Sequence, residues 1–96
     1  MPAELLVADL LDEVREELLA ARERYGPMHS AHEGYAVILE ELDELKAEVW
    51  KSPKKRDLAA MRAEAVQLAA MAVRFLMDVC EPEGVSSLKE TQPTKE

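Results

Sequence analysis

Two groups of acidic side chains carry most of the chemical information in this chain. The first is Glu40-Glu41-Leu42-Asp43-Glu44, with Glu48 beyond it, and the second is Glu64-Ala65-Val66-Gln67. On an α-helix turning ~100° per residue, Glu41, Glu44 and Glu48 share one narrow stripe with Glu40 at its margin. Like charges stacked in this way repel by a few tenths of a kcal/mol per pair, so the stripe calls for a cation or a basic partner. A hard divalent cation meets the need. Mg²⁺ is held by a few carboxylate oxygens and keeps waters that a phosphate can displace.

The elements that would position these acids follow from the apolar spacing. Val7, Leu11, Val14, Leu18, Ala21 and Tyr25 recur at intervals of four and three, which predicts a helix from Pro2 to Tyr25 that stops at Gly26-Pro27. Tyr35, Ile38, Leu42, Leu45 and Val49 predict a second helix from Ala31 to Lys51, ended by Ser52-Pro53. A third, from Arg56 to Cys80, is expected to bury Leu58, Met61, Leu68, Ala72, Phe75, Leu76 and Val79, and its many alanines allow close approach of a neighbour. No stretch alternates at period two long enough to make a strand. The fold class is therefore all-α: an N-terminal helix and a helical hairpin forming one domain over residues 1–81. Residues 82–96 are polar and aperiodic, and are expected to be a disordered tail.

Ninety-six residues bury a modest fraction of their surface when folded alone, so oligomerisation is expected to complete a four-helix-type bundle as a homodimer or homotetramer. The net charge of -8 argues against nucleic acid and against an anionic membrane as the main partner. No apolar run approaches the ~20 residues of a membrane span. The lone Cys80 has no internal disulfide partner, and Glu4, Asp9 and Asp12 stand where a secretory leader would be basic and then apolar, so a cytoplasmic location is expected. Cys80 itself is expected to be a small buried hydrophobe.

Placed on the helices, the Glu41/Glu44/Glu48 stripe sits roughly 110° from the centre of its apolar seam. On the third helix Glu64, Gln67, Met71 and Arg74 share a stripe bordering Met61, Leu68 and Phe75. Antiparallel packing of the second and third helices could set both stripes face to face across a cleft. Lys51, Lys54, Lys55 and Arg56 would lie at its end, either complementing a helix terminus or clamping phosphate. Arg74 could pair with an acid or contact phosphate. His29 and His32 lack the further ligands of a zinc site, which leaves a role at the helix entry or the substrate's edge. Trp50 and Tyr35 could stack on a base, or belong to the core or an interface between subunits.

The stretch Glu40-Glu41-Leu42-Asp43-Glu44 fits the EExxE motif, and Glu64-Ala65-Val66-Gln67 most of the ExxD motif, of the MazG-like all-α nucleoside triphosphate pyrophosphohydrolases. Nineteen residues separate the two. The flanking words His32-Glu33-Gly34-Tyr35-Ala36-Val37-Ile38-Leu39 and Ala69-Ala70-Met71-Ala72-Val73-Arg74-Phe75 resemble those of the short phage and bacterial members. The resemblance spans residues 29 to 80. It implies Mg²⁺, or Mn²⁺, carried by Glu41, Glu44, Glu64 and the position of Gln67, where this chain has an amide in place of the acid. It also implies attack of water on the α-phosphorus of a nucleoside triphosphate, releasing the monophosphate and pyrophosphate, with Glu40 or Glu44 as general base. Lys51, Lys54, Lys55, Arg74 and His32 are then the expected substrate contacts. The alternative is a helical oligomer that keeps the fold as a catalytically weak or inactive nucleotide-binding or scaffold protein, and Gln67 is what separates the two.

Overall fold

Helix α1 (Ala3–Tyr25) ends where Gly26 turns left-handed, at φ 75°, its N–H donating to Arg22 O at 2.8 Å. Only a residue without Cβ adopts that conformation freely, and Pro27 then prevents the helix from resuming. Helix α2 (Ala31–Val49) starts on a cap in which Ser30 Oγ accepts from Glu33 N at 3.0 Å. Glu33 reaches back to accept from His29 N at 2.6 Å, so two donors at the helix start are satisfied reciprocally. Trp50 closes α2 two residues earlier than the spacing predicts, and a 3₁₀ turn at Pro53–Lys55 makes the corner. Helix α3 (Leu58–Phe75) follows Asp57, whose carboxylate accepts from Ala59 N and Ala60 N. That cap sets the true start two residues after Arg56. The last turn, Leu76–Cys80, widens to a π-helix. The structure, a computed structural model, describes residues 1–84, and the tail expected to be disordered falls almost wholly outside them.

Among the described residues there is no strand, in keeping with the all-α expectation, and no helix is long and apolar enough to cross a membrane. Helix α3 lies between the other two. Glu13 pairs with Arg62 and Arg22 with Asp78, so α1 and α3 run parallel, whereas Gly34 meets Phe75 and Glu44 approaches Glu64, so α2 runs antiparallel to α3. The core is small: Leu18 and Ala21 of α1 against Ala70 and Met71 of α3, flanked by Val14, Val37, Ile38, Val73 and Met77.

Covering α3 from two sides shifts its buried face. The stripe of Gln67, Met71 and Arg74 lies in the packed region, with Met71 and Arg74 buried, while Leu58, Ala72 and Leu76 of the expected seam are exposed. Val7, Leu11, Tyr25, Tyr35 and Leu42 are exposed as well, because no third element stands opposite them. Cys80, expected in the core, is exposed on the final turn.

Two contacts hold the packing at the end where α1 turns into α2. An ideal Cβ at Gly34 would lie 2.6 Å from Phe75 Cδ2 and 3.0 Å from Met28 Sδ, so the helices touch through a glycine. Beside it is a polar latch. Asp78, its side chain 1% exposed, accepts from Met28 N at 3.0 Å and meets Arg22 at 3.2 Å, while Arg74 donates to Gly26 O at 2.9 Å. Backbone groups in the turn that a tight fold would otherwise leave dry are thereby partnered.

Gly34→Ala should cost net stability. The overpacking penalty of about 1–3 kcal/mol exceeds the ~1 kcal/mol that alanine brings to a helix. Urea midpoints would read it, and Phe75→Leu in the same background should recover most of the loss. For the latch, Asp78→Ala should lose about 2–3 kcal/mol by stranding Arg22 and Met28 N, and Asp78→Asn less, since an acceptor remains. Equal midpoints for wild type and Asp78→Ala would show the latch to be dispensable.

Candidate metal centre

Close approach of α2 to α3 fixes where the acids meet. Glu41 and Glu44, three residues apart on α2, share a face, and antiparallel packing brings Glu64 of α3 to it. One carboxylate oxygen from each of Glu41, Glu44 and Glu64 lies within 4.8 Å of the others. Glu44 is exposed, whereas Glu41 and Glu64 are half-buried. Glu41 Oε1 is buried with no hydrogen-bond partner. Burial, followed by the like charges of Glu44 and Glu64, pushes the Glu41 carboxyl up to about 7. Glu64 is raised in the same sense, by burial first and then by Glu44 and Glu48. Helix packing thus forces together charges that would separate in water.

The donor set fits a hard cation. Three carboxylate oxygens with solvent on one side would supply part of an octahedron and leave room for waters, which suits Mg²⁺ or Mn²⁺. Adjacent ligands of Mg²⁺ stand about 2.9 Å apart at its usual bond length of about 2.05 Å, so the three carboxylates would have to draw together by side-chain rotation to hold it. Gln67, one turn beyond Glu64 on the same face of α3, is half-buried, and its carbonyl oxygen is the next neutral oxygen donor along that stripe.

The other residues singled out from the sequence are spread more widely. Glu40 is exposed beside Glu41. Glu48 stands near Glu64 and is held by Lys51 at 2.9 Å, which brings one ammonium to the border of the acidic group. Lys54 and Lys55 are exposed in the 3₁₀ turn, and Arg56 Nε donates to Val49 O at 3.0 Å, closing the end of α2. His32 is exposed, nine residues before Glu41 and therefore on the opposite side of α2. His29 faces Glu33. Trp50 is 74% exposed, with Lys46 Nζ 5.8 Å from its ring, and stands about 120° around α2 from Glu44. Arg74, expected on the rim of the cleft, is 4% exposed and turned to Gly26 O and Met71 Sδ, away from the carboxylates.

Asp78 and Arg22 were assigned no role by the sequence spacing. The signal for Asp78 is a lone acid inside the apolar run Phe75-Leu76-Met77-Asp78-Val79, and for Gly34 a glycine in a helix interior. No family model matches the chain, and no curated protein and no solved structure is detectably similar to it.

A carboxyl whose folded value exceeds its unfolded one binds more protons when folded, so stability falls as pH rises between the two values. For Glu41 that window runs from about 4.5 to about 7. In EDTA the melting temperature should therefore decline from pH 5 towards 7.5, and millimolar Mg²⁺ or Mn²⁺ should restore it at the upper end. Glu41→Gln should flatten the decline and remove most of the gain from metal. Identical melting curves with and without metal would leave the trio a solvated acidic face.

Proposed function

We propose that this chain is a divalent-cation-dependent hydrolase of nucleoside triphosphates, cleaving between the α- and β-phosphates to release a monophosphate and pyrophosphate. The observation that carries the proposal is the meeting of Glu41, Glu44 and Glu64. These acids belong to two motifs in the order and at the separation that resemble the MazG-like pyrophosphohydrolases. When bound, Mg²⁺ would offset phosphate charge and orient the reacting groups.

The protein's own part is positional. Glu41, Glu44 and Glu64 would supply the ligands, with the amide oxygen of Gln67 as a further neutral donor. Glu40, exposed beside them and outside the ligand trio, takes the proton from the attacking water. The new bond forms to the α-phosphorus, and the bond to the bridging oxygen breaks as pyrophosphate leaves. Lys51, already at the border through Glu48, would meet the departing phosphates, with Lys54 and Lys55 in the turn that follows. The exposed apolar seams support self-association as part of the same proposal. A cytoplasmic setting, where nucleotides are abundant, goes with it.

Gln67 favours a second reading, a nucleotide-binding or scaffold protein without turnover, since an amide adds no charge to the cation's shell. A panel of nucleoside triphosphates with Mg²⁺ or Mn²⁺, assayed for pyrophosphate, separates the two. The hydrolase reading expects release from at least one substrate, its loss in Glu44→Ala, and tighter metal binding in Gln67→Asp. Turnover that appears only in Gln67→Asp would favour the binding protein, and silence in both, with no nucleotide bound, would sink the hydrolase reading.

A further inference from the structure

Helix α2 carries a second apolar face. Gly34, Ile38 and Leu45 turn towards α3, and about 120° around the axis Tyr35, Leu39, Leu42, Lys46 and Trp50 share a stripe no wider than about 80°. The first four are spaced four, three and four residues apart, as in a coiled-coil seam. Within one chain nothing covers them: Tyr35 is 63% exposed, Leu39 40%, Leu42 47% and Trp50 74%. Lys46 Nζ lies 5.8 Å from the Trp50 ring, so the stripe runs unbroken to the end of the helix. Its four apolar side chains expose about 400 Å² in all. A standard interface of about 800 Å² per partner is a little over half apolar, and so takes about 450 Å².

The charges of α2 are sorted between its faces. Glu33, Glu40, Glu41, Glu44 and Glu48 all lie on the half of the helix away from the stripe, which leaves Asp43 at its border and Lys46 within it. Among the described residues neither of these two is in an ion pair. An acid and a base three residues apart on one seam are complementary to the same pair running the other way. With α2 antiparallel to a copy of itself and Lys46 opposite Leu42, Asp43 of each copy falls within one residue of the level of the other copy's Lys46. A parallel pairing would instead press Lys46 against Lys46.

We infer that a second copy of this chain covers the outer stripe of α2, the two helices packing antiparallel so that Asp43 of each meets Lys46 of the other. Leu39 then comes opposite Val49 of the second copy, and Tyr35 comes towards its Trp50. Glu41 and Glu44 point to the other half of α2, so the carboxylate trio stays open to solvent. This surface rests on the proposed self-association and is independent of the hydrolysis. The remaining exposed apolar residues form no comparable face. On α1 Val7 and Leu11 are parted from Tyr25 by the buried Leu18 and Ala21, and Leu58 and Leu76 stand at opposite ends of α3 with Arg62 between them already held by Glu13.

Sedimentation equilibrium of the full chain decides it, with circular dichroism following helix content. Wild type should be a dimer at micromolar concentration, and Leu42→Glu a helical monomer, since Leu42 is exposed within one chain. Leu11→Glu and Glu44→Ala should dimerise like wild type. Trp50 is the chain's one tryptophan, so its emission should move to the red as wild type is diluted to monomer, and should start there in Leu42→Glu. Asp43→Lys and Lys46→Glu should each weaken the dimer by roughly tenfold, and an equimolar mixture of the two should recover it, because opposite charges then face each other across the seam. A monomeric wild type would overturn this interface together with the proposed self-association, whatever the pyrophosphate assay shows. A dimer that survives Leu42→Glu and both charge reversals would overturn this interface alone.

Discussion

The close antiparallel approach of α2 to α3 is the constraint on which the rest depends. Gly34 lets the Phe75 ring approach to a distance that any side chain would block, and the fully buried Ala70 brings the same economy of volume to the core. An approach this close at one end carries to the other, because both helices are continuous between the two points. Seven to ten residues along α2, the same packing presses Glu41 and Glu44 towards Glu64. The acidic group is thus a consequence of the packing, and its repulsion is a load on the fold.

That load is met elsewhere. Asp78, Arg22 and Arg74 tie the α1–α2 turn to the last turns of α3, at the opposite end of the hairpin from the carboxylates. A buried pair of this kind adds modest net stability, but breaking it is costly, so it specifies one register of α1 on α3. The division of labour has a physical logic. One end buries an ion pair of opposite charges, with Arg22 Nε and Arg74 Nε left without partners, while the other holds like charges in partial contact with water, where a cation could reach them. Strain at the second end persists because the first over-determines the helix positions.

Much of this was legible in the sequence. Three helices, both chain reversals and the meeting of Glu41, Glu44 and Glu64 follow from apolar spacing, Gly26-Pro27, Ser52-Pro53 and the acid motifs. The rotation of α3 was not legible, because a helical spacing gives a face and does not say how many neighbours share it. With α1 and α2 on two sides, the packed arc of α3 widened until Arg74 left the cleft for the core. The latch was hidden for a related reason: Arg22 and Asp78 are 56 positions apart, and a lone acid in an apolar run does not declare its partner.

The burial of Arg74 also narrows what the acidic face can do alone. An arginine on the rim would have offset the Glu64 carboxylate, and its commitment to Gly26 O leaves Lys51, already shared with Glu48, as the cation held at the border of the group. The charge that balances Glu41 and Glu64 must then be a proton or an ion from solution. Near neutral pH the Glu41 proton is half lost, since its carboxyl titrates at about 7. A divalent cation competes with that proton for the same oxygens, so the affinity of the trio for metal should climb through neutrality as the proton is lost.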